Sequence, residues 1–451
     1  MKPFTLEEIA AACGGIYVGN EALKQTCITS VERDSRQIKD GSLFLAIKGE
    51  RVDGHDFINK CYQSGAVCAI CEVAPEKAEK PFILVPSTLE AVKKIAKAYR
   101  EKFDIPVVGV SGSVGKTSTK EMLCAVLSQK FKTHKTQGNL NNELGVPLTL
   151  LSMPEDAEAA VIEMGISDFG EMSRLSAMAQ PTVCVLTVIG CCHLENLGDR
   201  DGVLKAKTEM FGFARDGASF VLNGDDDKLS TVTSVNGAEP IFFGLGGKNR
   251  YHAENIENNG EGGISCTLCF DGKALDVTIP AIGNYMVSNA LAAVAVGDLL
   301  GLSDEQLKNG VESYKTVGGR ANVINTASLR IIDDCYNANP TSVKASIDSL
   351  INFKGRKIAV LGDMKELGKN ELALHYDTGA YAKERGVDRV LSVGPLAKEL
   401  ARGANDLWFE SVEALEKELP GIIKNGDTVL VKASHSMHFE NIVAFLKTLS
   451  V

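Results

Sequence analysis

Unbroken apolar runs and longer, helix-spaced segments alternate along most of this chain. In its middle, Val107-Val-Gly-Val, Ala159-Ala-Val-Ile, Val183-Cys-Val-Leu-Thr-Val and Phe220-Val-Leu are apolar runs too short for helices. Such runs predict strands buried on both faces, and helical segments between them predict a parallel α/β sheet. A more polar, glycine-rich stretch, Gly244 to Thr278, predicts an antiparallel insertion, and Asn289 to Leu300 a strongly apolar helix. After Gly318-Gly319-Arg320 the pattern restarts. Arg330-Ile-Ile, Lys357-Ile-Ala-Val-Leu, Arg389-Val-Leu-Ser-Val and Thr428-Val-Leu-Val alternate with helices, which predicts a second α/β unit. Residues before about 83 mix short strands and helices, with Asp40-Gly41 and Asp53-Gly54 as turns. Phe82-Ile-Leu-Val and a helix from Thr88 to Phe103 then lead into the middle section. The expected domains are 1–83, 84–315 and 316–451.

The length of 451 residues agrees with about three domains. Hydrophobic content of 44% and charged content of 24% are those of a globular protein. The net charge is −10 and no Lys/Arg-rich run forms a stripe, so a polymeric nucleic acid is not an expected partner. No apolar stretch reaches bilayer-spanning length and the N-terminus carries no apolar signal region, so a cytoplasmic protein without membrane insertion is expected. Twelve cysteines include the pairs Cys68/Cys71 and Cys266/Cys269. Both pairs lie in strand-like runs, where residues three apart point to opposite faces, so buried thiols are expected rather than a zinc site.

Candidate chemistry begins at Gly109-Val-Ser-Gly-Ser-Val-Gly-Lys-Thr-Ser. An apolar strand (Ile105-Pro-Val-Val) precedes this loop and a helix, Thr119 to Lys130, follows it. Free N–H groups of such a loop and helix start bind anions. Gly112, Ser113, Val114, Gly115, Lys116, Thr117 and Ser118 therefore form a candidate nucleotide cradle. Lys116 is placed for the terminal phosphates and the Thr117 hydroxyl for Mg²⁺. The guanine-reading Asn-Lys-x-Asp is absent, and Asp199-Arg-Asp-Gly is too short a pattern to count, so a GTPase switch is disfavoured. Glu163 ends one strand and His193 follows the next, where α/β sheets carry functional groups.

Further segments make the picture specific. In chain order they are Asp34-Ser-Arg with Gly41-Ser-Leu-Phe-Leu-Ala-Ile-Lys-Gly-Glu, Asp53-Gly-His-Asp-Phe, the Gly112 loop, and Gly138-Asn-Leu-Asn-Asn-Glu-Leu-Gly-Val-Pro. Then come Glu163-Met-Gly, His193-Leu-Glu, Ala206-Lys-Thr-Glu-Met, Asn289-Ala-Leu-Ala-Ala, Gly319-Arg, Asp333-Asp-Cys-Tyr-Asn-Ala-Asn-Pro and Leu361-Gly-Asp-Met-Lys-Glu-Leu-Gly. On these segments the chain resembles the Mur ligase family over essentially its whole length. The Asn-Leu-Asn-Asn-Glu and Tyr-Asn-Ala-Asn-Pro segments set it apart from the members that add earlier residues and from folylpolyglutamate synthetase.

The resemblance implies a three-domain α/β architecture: a small N-terminal domain for the UDP-sugar, a central P-loop parallel-sheet domain and a C-terminal Rossmann-like domain. It implies ATP and Mg²⁺, UDP-N-acetylmuramoyl-tripeptide and D-alanyl-D-alanine as substrates, and a monomer. Lys116, Glu163, His193 and Lys207 would be catalytic. Thr117 and Glu163 would hold one Mg²⁺, and His193 and a carbamylated Lys207 a second. Asn289 would lie on the adenine side, and Arg320, Asp334 and Asn337 would reach the nucleotide from the third domain. Ser35, Arg36, Lys48, His55, Asn141 and Asn142 would bind the sugar-linked substrate, and His375 would face the closed site. Four residues depart from the family pattern: Ser111 for Thr, Tyr285 for His, Ala433 for Gly and His435 for Arg. The last two remove a permanent cation and some backbone freedom, which predicts altered amine-substrate selection or a more pH-sensitive site. A superfamily ligase with another amine acceptor, a depsipeptide among them, and a non-catalytic nucleotide-binding relative remain the alternatives at this point.

Overall fold

A computed structural model describes residues 1–449. Its strands form three sheets along the chain. The first has the order Ile16–Val18, Phe82–Leu84, Cys68–Cys71, Ser42–Leu45 and Ser30–Glu32, and only its first pair is antiparallel.

The second sheet is the largest, with nine strands. Its core runs Ser219–Asn223, Val183–Leu186, Val107–Ser111, Ala159–Glu163 and Thr133–Lys135, all parallel. Alternate strand residues feed two separate cores. Val108, Val110, Val161 and Val185 pack under helices Lys116–Leu127 and Tyr285–Leu299. Ala160, Ile162, Cys184 and Leu186 pack with Leu150, Leu175 and Ala206 on the other face. Each such fully buried valine or leucine contributes roughly 2 kcal/mol, which is why these strands read as unbroken apolar runs. The expected antiparallel insertion is present as Tyr251–Asn258, Ile264–Phe270 and Lys273–Ile279. Unlike the core strands, Ile264–Phe270 alternates buried and half-buried residues, as a one-sided strand should.

The third sheet has the order Asn322–Asn325, Arg330–Asp333, Thr428–Lys432, Lys357–Gly362, Arg389–Val393 and Trp408–Phe409, antiparallel only at its first pair. Helix Thr88–Glu101 links the first two units. Its Tyr99 hydroxyl donates to Met153 O (2.9 Å), and its buried Arg100 donates to the carbonyls of Ala179 and Phe103.

Two helices begin earlier than the sequence pattern suggests. The helix after the phosphate loop starts at Lys116 rather than Thr119, because Gly115 takes a left-handed φ of +84° and lets the chain turn directly into the helix. The apolar helix starts at Tyr285 rather than Asn289, with Asn284 as its cap residue. Cys68 and Cys71 are fully buried in a strand covered on both faces.

Candidate active site

Strand Val107–Ser111 ends at the phosphate loop, and two glycines shape that loop. A Cβ on Gly112 (φ +149°) would lie 2.0 Å from Thr187 Oγ1, so no side chain fits. Gly115 supplies the turn into helix Lys116–Leu127. The Lys116 ammonium folds back on its own loop and donates to Gly112 O at 2.8 Å. Burial holds its pKa below the ordinary lysine value.

Glu163 closes the neighbouring strand Ala159–Glu163 and is only 1% exposed. Its Oε1 accepts from Asn141 Nδ2 (2.7 Å) and from Thr117 Oγ1 (3.2 Å). Its Oε2 is buried with no hydrogen-bond partner. The buried Lys120 ammonium stands 3.5 Å from that oxygen, close enough for attraction but outside hydrogen-bond geometry. A buried carboxylate oxygen facing a cleft without a donor is a ready cation ligand.

His193 follows the next parallel strand and has a left-handed backbone (φ +51°). Its Nδ1 meets a carboxylate oxygen of Glu366 at 2.6 Å. Burial lowers its pKa, against the pull of Glu366. Near it lies Lys207, fully buried on helix Arg200–Thr208. Burial pushes the Lys207 ammonium down to about 8, with Cys192 acting against that shift and Lys116 adding to it.

The third unit forms the opposite wall. Arg320 stacks on the Tyr336 ring, 3.8 Å from its centre, and donates through Nη2 to Thr117 Oγ1 (3.3 Å). Tyr336 in turn packs against the His435 ring, 5.4 Å between centres. Asp334 lies beside them, but its carboxylate is already committed. It accepts from Lys432 Nζ (2.6 Å), Ser346 Oγ (2.5 Å) and the Ala321 N–H (3.1 Å). Lys432 also donates to Asn337 O (3.0 Å). Helix Pro340–Ile351 points its N-terminus at the cleft, capped by Asn339, whose side chain accepts from Ser342 N. Together the two walls enclose about 460 Å³.

Three family descriptions match this chain: "Mur ligase family, catalytic domain" over residues 27–100, "Mur ligase middle domain" over 110–297 and "Mur ligase, glutamate ligase domain" over 319–435. A curated relative from Bacillus subtilis, named UDP-N-acetylmuramoyl-tripeptide–D-alanyl-D-alanine ligase, is 38% identical over 454 residues, covering 97% of each chain. The chain belongs to the Mur ligase family. Among solved structures, a crystal structure of MurF from Acinetobacter baumannii superposes with a TM-score of 0.91 at 33% identity, covering 100% of both chains. MurF ligase from Thermotoga maritima in complex with ADP gives 0.83 at 31% identity, covering 93% of this chain and 97% of its own.

In this Mur ligase the cleft gathers most of the residues singled out from the sequence. Ser113, Val114, Gly115, Lys116, Thr117 and Ser118 line it from the loop, and Asn141, Asn142, Glu163 and His193 from the neighbouring strand ends. Asn289, Arg320, Asp334 and Asn337 line it from the other side. Gly112 belongs to the loop but does not line the cleft, and nor does Lys207, which is fully buried and near enough for its charge to act on His193. Asn289 is tied to the phosphate-loop helix, its Oδ1 accepting from Thr119 Oγ1 (2.9 Å). Tyr285 lines the cleft, and burial raises its pKa well above the ordinary value. Ala433 is fully buried, and its methyl lies where a Cβ on Gly362 would come within 2.6 Å, so the alanine fills a space the glycine leaves.

Other expected residues lie elsewhere. Ser35, Arg36, Lys48 and His55 belong to the first unit and do not line this cleft. Arg36 is exposed and grips Asp34, whose carboxyl it holds down at about 2. His55 has both ring nitrogens engaged: Nδ1 contacts Asp53 (2.6 Å), and Nε2 accepts from the N–H groups of Glu72 and Val73. That ring braces a turn and has no nitrogen left for a ligand. His375 does not face the site. It is fully buried, Nε2 accepting from Met364 N and Nδ1 contacting Glu371 O. Tyr336 and Lys432 were not singled out, although Tyr336 opens the Tyr-Asn-Ala-Asn-Pro segment and Lys432 precedes the unusual Ala433.

Proposed function

We propose that this chain is an ATP-dependent, ADP-forming ligase that joins D-alanyl-D-alanine to the free carboxylate of UDP-N-acetylmuramoyl-tripeptide, giving the UDP-muramoyl-pentapeptide used to build peptidoglycan. The observation that carries this reading is the full-length likeness to ligases of that name, 38% identity across 97% of both chains for the Bacillus subtilis relative.

The cleft suits the chemistry. A carboxylate is a poor electrophile. Transfer of the γ-phosphoryl group from ATP to its oxygen breaks the bond to the bridging oxygen, releases ADP and leaves an acyl phosphate. The dipeptide amine then attacks the acyl carbon, loses a proton and expels phosphate, and the amide remains. The first step brings two anions together, so cations have to neutralise them. Lys116 comes from the loop and Arg320 from the opposite wall. Lys432 is already neutralised by Asp334, so it shapes the wall rather than the charge balance. Closing the third unit over the loop keeps water from the acyl phosphate.

The buried, partnerless Oε2 of Glu163 beside the Thr117 hydroxyl fits a divalent cation, and this all-oxygen set is the kind Mg²⁺ takes. Thr117 and Glu163 would hold one ion, and His193 with a carbamylated Lys207 a second. Bound there, Mg²⁺ would supply positive charge against the phosphates. Carbamylation needs a neutral amine, and a lysine held at about 8 offers more than ~100 times the neutral fraction of a solvated one. Ser35, Arg36 and Lys48 remain the proposed sugar-side contacts. Among the described residues no helix is long and apolar enough to cross a membrane. We take the enzyme to act in the cytoplasm as a monomer, which its mass in solution checks.

The test is ATP-dependent phosphate release with UDP-N-acetylmuramoyl-tripeptide, with and without D-alanyl-D-alanine. Release that needs both, with a product heavier by the dipeptide, is the expected result. Release indifferent to the dipeptide would move the acceptor to another amine.

A further inference from the structure

His193 and Glu366 meet across the boundary between the middle and third units. Glu366 sits in the loop after strand Lys357–Gly362, and its carboxylate lies 2.6 Å from His193 Nδ1. The backbones join at the same point, Leu194 N donating to Glu366 O at 3.2 Å. Both residues have left-handed backbone, φ +51° for His193 and +64° for Glu366, which side-chain-bearing residues adopt mainly where surroundings enforce it. Gly368 of the same loop lies against the Glu195 backbone, where an added Cβ would come within 3.4 Å.

This is not a packing contact of the core. The Glu366 side chain is 58% exposed, and burying its carboxylate is not what holds it there. What the contact does is chemical. With Nδ1 facing a carboxylate, a neutral imidazole carries its proton on Nδ1 and presents the Nε2 lone pair. His193 lines the cleft, and Glu366 occupies its Nδ1 rather than its Nε2. A carboxylate behind a histidine ligand is the usual device for setting tautomer and ring orientation. Here the carboxylate comes from a different unit of the chain than the histidine.

We infer that Glu366 is a positioning residue: it orients His193 for the cation side of the cleft, and does so only when the third unit is seated on the middle one. Seating the third unit and preparing His193 are therefore one event. The cleft does not gain its full cation-binding set until the third unit is seated on the middle one. The inference rests on the ligase reading above for the role of His193.

The test compares wild type with Glu366→Ala and Glu366→Gln. Three readouts are taken: ¹⁵N-histidine NMR of the His193 tautomer, Mn²⁺ binding followed by electron paramagnetic resonance in the presence of ADP, and ligase kinetics. Thermal unfolding controls for folding, and an exposed glutamate should leave it nearly unchanged. The expected result is a His193 signal that loses its Nδ1–H tautomer in Glu366→Ala, Mn²⁺ affinity lower by roughly tenfold, and kcat lower with little change in KM for ATP. Glu366→Gln, which keeps a neutral acceptor in place, should recover part of each. An unchanged tautomer and unchanged Mn²⁺ affinity in Glu366→Ala would overturn the inference, even if activity fell, because a mere latch would affect closure alone. If wild type itself makes no peptide product, the ligase reading has failed, and the NMR readout still decides whether Glu366 orients His193.

Discussion

The two walls of the cleft each bury a carboxylate, and they treat it in opposite ways. On the middle-unit wall, Glu163 has one oxygen bonded by Asn141 and Thr117 and the other left without a donor. On the third-unit wall, Asp334 is surrounded by Lys432, Ser346 and the Ala321 N–H. Both groups are acidic, buried and next to the same space, yet only Glu163 has an oxygen with no hydrogen-bond donor. Residue type and position in a motif therefore do not separate a ligand from a structural anchor. An oxygen left without any donor is what separates them. On that ground we propose Glu163 as a cation ligand and Asp334 as the anchor of Lys432 and the wall.

Substitutions on the two walls should then fail differently. Glu163→Gln keeps the size and most bonds of the side chain but removes its charge. We expect activity to fall by roughly 10²- to 10³-fold with little loss of stability. Activity within threefold of wild type would end the distinction between the walls. Asp334→Ala should do the reverse, destabilising the third unit by about 3–5 kcal/mol because it strands the buried Lys432 ammonium. Denaturant unfolding measures this, and Asp334→Ala combined with Lys432→Met should recover much of the loss.

Lys207 sharpens the comparison with a group whose cost to the fold and use to the reaction pull apart. Its folded pKa of about 8 lies below the unfolded value of 10.5, so between those values the unfolded chain binds more protons. Stability should thus rise with pH from about 8 to about 10.5, and the penalty, about 3 kcal/mol, is complete below pH 8. In CO₂-free buffer Lys207→Met should be more stable than wild type at neutral pH, inactive, and free of that rise. A mutant no more stable at pH 7 than the parent would contradict the burial argument.

The smallest effect is expected at His435, which reaches the cleft only through Tyr336 and the stacked Arg320. His435→Arg should shift KM for the dipeptide by roughly threefold, the scale of a cation–π change. An unchanged KM would make the departure from the family pattern peripheral.

Much of this was legible from residues alone, and the boundary is physical. The phosphate loop was readable because its shape is local. It needs Gly115 with positive φ, Gly112 without a side chain, a strand before and a helix after. The two-sided middle sheet was readable because burial on both faces demands unbroken apolar strands. Glu163 was readable as a strand-end acid, and the family segments extended that reading over the whole chain. His55 and His375 misled because a histidine in a suggestive motif looks the same whether its nitrogens are free or already bonded. Only the tertiary structure decides that, since the partners of their Nε2 atoms, Glu72, Val73 and Met364, lie in other loops. The same holds for Asp334 and Lys432, joined across 98 positions, and for His193 and Glu366, joined across two units. Backbone shape follows from neighbouring residues along the chain. Which lone pairs and charges stay free depends on every group that packs against them, and that set exists only after folding.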